Sequence, residues 1–525
     1  MSSKNGVLRV SLRMEQSPDP SGHLRYCFLD DRGNQAPTLR VQQGDTLVVT
    51  LKNDISVPAE SDPRKEFRNH SSPQQDPCTA DNMASFATNL HFHGLTIPPV
   101  CHQDETLRTT ILPGNPPFEY RIQIPRDQPP GLYWYHPHVH GFTEEQVLGG
   151  ASGALIVEGM ERANPRVAGL PERLFIIRDA NMPEASSAEK ADPNRPTREL
   201  SVNYVEVPYP NYPPAVIRMK PSEPEFWRVL NASADTYLDL RVEFNAKPQL
   251  LSLVALDGVP LRYDWSDPQD YAPQHYHLFL PPAGRAEFII HGPPAGVSGV
   301  LLTAFVYRGA SDENGAALPI TKNQPGLRSG QDDVDPRRPL VTIRSSNDAL
   351  QSMSVMPTKS SATEKAVAPP LSSVRPVRKR SLYFSEKLQD PSDPRSPTLF
   401  FITEEGHTPA IFDPHAEPGI TVRQGEVEDW VIENRSQERH AFHVHQLHFL
   451  VVSARGVGWE EPALRDTVDL PAWDGLSRYP SVTVRMDFRN PLIVGTVPFH
   501  CHIMQHIDGG MMGTIRIEPK PRTKH

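Results

Sequence analysis

The chain has 525 residues and a formal net charge of -10, from 53 Lys and Arg against 63 Asp and Glu. A nucleic-acid binder would show a basic excess, so that class is excluded. With 38% apolar and 22% charged residues, the composition is that of a soluble globular protein, long enough for three or four domains at about 150 residues each.

Proline is the outlier, at 56 residues, roughly twice the usual share. It leaves little room for long helices, because proline removes a backbone donor and clashes inside them. No apolar run approaches the roughly 18 residues of a membrane span, so no membrane partner is expected. The opening Met-Ser-Ser-Lys-Asn-Gly lacks the apolar centre of a signal peptide. The expected compartment is cytoplasmic, or periplasmic or extracellular if a signal has been removed.

In chain order, the first clear element is V-Q-Q-G-D-T-L-V-V-T-L-K-N at 41–53, a turn, an apolar strand and a polar stop. Residues 55–88 form a polar insertion, and Cys78 and Cys101 flank the histidine-rich segment after it. Two readings of these cysteines stay open. They pair, closing a loop of roughly 20 residues for about 3 kcal/mol, or both are free thiols. Short alternating strands follow at Tyr120–Ile124 and Ala154–Val157.

The opening pattern returns as S-E-P-E-F-W-R-V-L-N at 222–231 and V-R-Q-G-E-V-E-D-W-V-I-E-N at 422–434. Gly44, Ser222 and Gly425 each precede an asparagine, Asn53, Asn231 and Asn434, by nine positions. The repeat predicts three related β domains, at 1–160, 161–345 and 376–525, built as sandwiches or barrels. Between the last two, 346–375 reads as a Ser- and Pro-rich linker holding Met353 and Met356.

Twenty-one histidines in this length would give fewer than one His-x-His pair by chance. The chain has six: His91/His93, His136/His138, His138/His140, His275/His277, His443/His445 and His500/His502. On a strand, positions i and i+2 face the same way, so four converging pairs supply eight imidazoles to a metal centre. Imidazole alone does not select among copper, zinc, iron and nickel.

Cys501 selects. Alternation sends its thiolate to one face and His500 and His502 to the other, so one strand can serve two sites. With His440, His506 and Met511, Cys501 completes two histidines, one thiolate and a weak thioether, the blue-copper ligand set.

These motifs resemble the laccase-like, three-domain multicopper oxidases of bacterial type. The matching stretches are T-N-L-H-F-H-G (88–94), Y-W-Y-H-P-H-V-H-G (133–141), H-A-F-H-V-H-Q-L-H-F (440–449), F-H-C-H-I-M-Q-H-I-D-G-G-M-M (499–512) and, more weakly, R-D-T-V-D-L-P (465–471). The resemblance implies an all-β fold of three cupredoxin-like Greek-key domains and four copper ions, one type 1, one type 2 and two type 3. By the same resemblance, His440, Cys501, His506 and Met511 bind type 1 copper, and His91 and His443 bind type 2. The type 3 pair uses His93, His136 and His502 on one ion and His138, His445 and His500 on the other. The cluster then lies between the first and last domains, with the middle domain as a spacer.

The resemblance further implies electron entry at His506, transfer through Cys501, and a proton-feeding acid near the cluster, for which Asp104 is the candidate and an exposed loop acid the alternative. Many bacterial relatives carry an acid directly after the second type 1 histidine; here that position is Ile507, with Asp508 one residue later. His140 is expected at the surface or beside the ligands, His448 beside the ligands or in the core, His275 and His277 as structural residues, and His102 as a loop residue.

The expected reaction couples four one-electron oxidations of phenols or aromatic amines to reduction of O2 to water. Cuprous ion is the rival donor, with Met353, Met356, Met504 and Met512 as candidate thioethers, and bilirubin-type pigments are a further alternative. A copper-free scaffold would have lost these histidines, and a simple electron carrier would not need the other eight.

Overall fold

The computed structural model describes residues 1–57, 76–79, 83–190, 192, 194–261, 274–309, 334–347, 371–393, 396–456 and 463–521. Most of the 55–88 insertion and most of the 346–375 linker, with Met353 and Met356, lie outside the described residues. Strands dominate, and the longest described helix, Thr143–Leu148, has six residues, as the proline content predicts.

Among the described residues, the strands form three pairs of sheets around three main apolar cores, with Val306–Tyr307 and Val334–Asp335 as a separate two-stranded ribbon. The first pair joins a sheet containing Val7–Pro18, Leu24–Asp30, Thr46–Asn53 and Phe118–Gln123 to one containing Leu39–Val41, Gly153–Val157, Gly131–His136 and His91–His93. Leu47, Val49, Leu51, Tyr120 and Ile122 fill the space between them. The second pair is built from strands between Glu172 and Ser345 around Trp227, Val229, Leu240 and Phe288, and the third from strands between Arg378 and Glu518 around Trp430, Ile432, Phe442 and Val484.

Each repeated segment holds the same place. Thr46–Asn53, Pro224–Asn231 and Val427–Asn434 each pair parallel with one strand and antiparallel with another. The residue that opens each repeat is left-handed, Gly44 at φ +85°, Ser222 at +57° and Gly425 at +103°. The middle copy thus keeps the turn although it has lost the glycine that makes such a turn easy.

The asparagine that ends each repeat also does one job three times. Its Oδ1 accepts the amide two residues on, from Ile55, Ser233 or Ser436. Its Nδ2 donates to carbonyls of separate segments: Phe86 and Ile111 for Asn53, Thr236, Leu280 and Pro281 for Asn231, and Glu438 and Pro471 for Asn434. A sequence reader sees only a polar stop; in space it is a buried amide that ties loops together.

The sandwiches meet through mixed clusters. Leu132, Trp134 and Ile156 of the first pack on Ile176, Leu230 and Ala283 of the second. Val147 and Leu148, Ala234, and Met504 and Ile507 bring all three together. A disulfide links Cys78 and Cys101, which resolves the pairing left open by the sequence.

Asn231→Ala is expected to destabilise the protein by about 2–4 kcal/mol, because it strands buried carbonyls and an amide. Its calorimetric unfolding midpoint should fall clearly below that of an alanine substitution at exposed Gln389, and equal midpoints would contradict the assigned role.

Candidate metal centre

His91–His93 lies beside Gly131–His136 with His91 opposite His136, and in the third sandwich His443 lies opposite His500. The two pairs of strands bring their histidines to one seam. Strict alternation carries only part of the argument, since His138, His445 and His502 fall just past the ends of their strands and still turn inward.

All eight rings are buried. Three sets place one donor atom per residue within 4.8 Å of each other: His91, His93 and His443; His93, His136 and His502; and His138, His445 and His500. Within the last set, the Nε2 atoms of His138 and His445 lie 3.3 and 3.1 Å from Nε2 of His500.

Oxygen atoms around the seam fix which ring nitrogen faces inward. Nδ1–H donates to the Asp104 carboxylate from His91 (3.0 Å), to Pro137 O from His136 (2.8 Å), to Asp466 O from His443 (2.8 Å) and to Cys501 O from His500 (2.9 Å). His93 is reversed, with Nε2 3.2 Å from Asp466 Oδ1. The opposite nitrogens, including Nε2 of His91, His136 and His443 and Nδ1 of His93, are buried with no protein partner. Burial pushes the pKa of His93, His136, His138, His443, His445 and His502 well down, and that of His500 to about 3. Neutral imidazoles with inward lone pairs are what a cationic metal cluster requires.

A second set lies on the other face of the same strand. Cys501 Sγ is 3.6 Å from His440 Nδ1 and 3.5 Å from His506 Nδ1, and the two nitrogens are 3.1 Å apart. Burial alone would raise the thiol pKa, but the neighbouring charge of His506 and hydrogen bonds from both rings bring it to about 6, so a thiolate is available near neutral pH. Met511 is fully buried in the core that contains Cys501, and its carbonyl accepts Cys501 N–H at 3.2 Å. Thiolate, two imidazoles and a nearby thioether residue fit copper better than zinc or a hard cation.

Residues outside the motifs complete the surroundings. His440 Nε2 is 2.7 Å from Ser436 Oγ and 3.1 Å from Glu386 Oε1, and His506 Nε2 is 3.5 Å from Glu438 Oε1. Phe384 and Phe400 stack on His440 and His506. Glu438, two positions from His440, had a signal in strand alternation; Glu386 and Arg285 had none.

Asp104 is not an exposed loop acid. It is buried against His91, accepts Phe92 N–H at 2.8 Å, and receives the Gln446 side chain from the third sandwich. Glu105 instead accepts the amides of Leu107, Arg108 and Thr109 and so holds its own loop. Ile507 is packed in apolar surroundings. Asp508 turns to the helix Thr143–Leu148, accepting the amides of Thr143 (3.1 Å) and Glu144 (2.8 Å), and burial raises its pKa to about 7.

His140 packs edge-on against Phe412, His277 bonds Asp239 at 2.7 Å, and His448 bonds Asp257 O at 3.0 Å. His275 lies on the short strand Gln274–His275 of the middle sandwich. His102 sits at φ +64° with its ring on Phe118. It lies near Cys78 and Cys101, whose sulfurs are bonded to each other and so offer no thiolate.

Sequence models of the family described as multicopper oxidase match residues 78–162 and 391–521, the two stretches that bring these histidines together. The chain carries two multicopper oxidase domains. A multicopper oxidase of Staphylococcus haemolyticus is 25% identical over 493 residues, covering 92% of this chain and 81% of that protein. A laccase of Haloferax volcanii is also 25% identical, over 81% of this chain and 66% of its own length. In structure, a metallo-oxidase of this family from Campylobacter jejuni superposes with a TM-score of 0.66 at 22% identity, over 98% of this chain and 92% of that one. The fold is thus three cupredoxin-like Greek-key sandwiches. Enzymes of the multicopper oxidase family use O2 and a reducing substrate, and the histidine sets of this chain are compatible with the copper that the family implies.

His445→Ala removes one imidazole from the eight-ring cluster and leaves the cysteine site untouched. The copper-loaded variant should keep the blue absorption of a copper–thiolate bond and lose O2 consumption, whereas His140→Ala should retain most turnover. Unimpaired O2 consumption in His445→Ala would show that the cluster is not the oxygen site.

Proposed function

We propose that this enzyme is a laccase-like oxidase that takes electrons singly from phenols and aromatic amines and reduces O2 to water. In this reading four copper ions are held, one by His440, Cys501, His506 and Met511, and one by His91 and His443. The remaining pair takes His93, His136 and His502 on one ion and His138, His445 and His500 on the other. Copper supplies one-electron chemistry at the thiolate site and oxygen reduction at the cluster. Cys501 is covalently next to both His500 and His502, so the path between the sites is one residue long.

The observation that carries the donor class is the edge of His506. The outer Nε2 faces Glu438, whose side chain is 18% exposed, while Phe400 covers the ring at 4.2 Å. A phenol loses a proton as it loses an electron, and a partly exposed carboxylate beside the entry imidazole can receive that proton.

One observation favours a second reading, a divalent metal cation such as ferrous ion: both outer imidazole nitrogens face carboxylates, Glu386 and Glu438. Cuprous ion is less well served among the described residues, because Met504 and Met512 are buried. Glu438→Gln separates the readings. A phenol oxidase should lose about 10²-fold in kcat/KM for a methoxyphenol with little change for ferrous ion. A raised KM for ferrous ion with unchanged phenol turnover would select the metal donor.

Reduction of O2 also consumes protons, and Asp104 is the acid proposed to supply them, since Asp466 is committed to Arg285 and Ile507 is apolar. Asp104→Asn should keep the blue colour and slow reoxidation of the reduced enzyme by about 10²-fold. Glu105→Gln should have little effect. Parental stopped-flow reoxidation in Asp104→Asn would move the proton path elsewhere.

A further inference from the structure

Arg285 belongs to the middle sandwich, which carries none of the eight cluster histidines, yet it is fully buried against the metal seam. Each of its five side-chain N–H donors has an acceptor. Nε donates to Leu132 O at 3.2 Å, Nη1 to Ala283 O at 3.2 Å and Asp466 Oδ1 at 2.7 Å, and Nη2 to Asp257 O at 2.8 Å and Asp466 Oδ2 at 2.6 Å. The guanidinium is itself fixed by the Arg285 amide, which donates to Asp257 Oδ1 at 2.9 Å.

Three of those acceptors lead to cluster ligands. Leu132 is on the strand that ends in His136. Asp466 meets His93 Nε2 through its carboxylate and His443 Nδ1 through its carbonyl. Asp466 is also fully buried, and the bidentate fork from Arg285 fixes its rotation.

Space is equally constrained. A Cβ on Gly94, directly after His93, would lie 2.7 Å from both Arg285 Nη2 and Asp466 Oδ2, and Gly94 sits at φ +87°. The pair thus occupies the volume that a side chain there would need.

We propose that Arg285 is a positioning residue of the trinuclear site. Through Asp466 it holds His93 with Nδ1, rather than Nε2, facing the metals, and so makes the middle sandwich part of the oxygen-reducing centre. This rests on the oxidase reading above. Arg and Lys differ here because an ammonium offers three donors from a point and cannot reproduce the planar fork.

The deciding experiment is Arg285→Lys in the copper-loaded full chain, with Arg285→Met and Asp466→Asn beside it. Copper per chain, the type 2 electron-paramagnetic-resonance hyperfine splitting, and retention of copper against a chelator are measured. Blue absorption reports that the third sandwich is folded and loaded. The expected result for Arg285→Lys is intact blue absorption, an altered type 2 splitting, and cluster copper held about 10–100-fold less tightly, with Asp466→Asn showing the same pattern. A full copper complement with parental splitting overturns the proposal. Loss of the blue absorption together with the rest in Arg285→Lys also overturns it, because the pair then serves folding alone; Arg285→Met is informative only if blue. A parent chain that fails to load a trinuclear cluster would refute the oxidase reading instead.

Discussion

Eight imidazoles share one water-excluded seam between two β-sandwiches, and the surrounding structure answers to that arrangement. Burial pushes the pKa of seven of the rings down, which favours imidazoles with a free lone pair. For five of the eight rings an oxygen on the far side meets the outer nitrogen: the Asp104 carboxylate, the carbonyls of Pro137, Asp466 and Cys501, and, for the reversed His93, the Asp466 carboxylate. Two of these carbonyls belong to the residue next to the histidine they orient, so the ligand motifs carry part of their own orienting groups.

The same requirement explains why the sandwiches are joined by polar contacts at depth. Asp104 of the first sandwich receives Gln446 of the third, and Asp466 of the third receives Arg285 of the second. Asp508 of the third supplies the first amides of the helix Thr143–Leu148 in the first. Each contact satisfies a group that would be costly to bury alone. Each also fixes how two sandwiches meet, which apolar packing by itself would leave free to slide.

The strand Gly495–Cys501 is the mechanical link between the two metal sets. Its pleat places the thiolate in the core of the third sandwich and His500 in the seam, with His502 following just beyond its end. On the thiolate side the imidazoles are covered by Phe384 and Phe400 and backed by Ser436, Glu386 and Glu438. The environment is therefore dry around the sulfur and acidic at the outer edge.

Much of this was legible in the chain itself. The proline content argued against long helices, the nine-residue spacing to Asn53, Asn231 and Asn434 marked three β units, and the His-x-His pairs with Cys501 marked the metal chemistry. These features are local: a pleat repeats every two residues, and a ligand pair declares itself by its own spacing. What the sequence left open depended on groups far apart in the chain. The Cys78–Cys101 bond, the burial of Asp104 and the turn of Asp508 toward Thr143 followed only from tertiary placement. So did the approach of Glu386 to His440 and of Arg285 to Asp466, because nothing in the spacing of residue 285 to 466 registers that a guanidinium and a carboxylate will share one dry contact. The sequence by itself determined which atoms could bind metal; the tertiary structure decided which nitrogen of His91, His93 and His443 faces it, because that choice is made by oxygens of Asp104 and Asp466 brought in from distant segments.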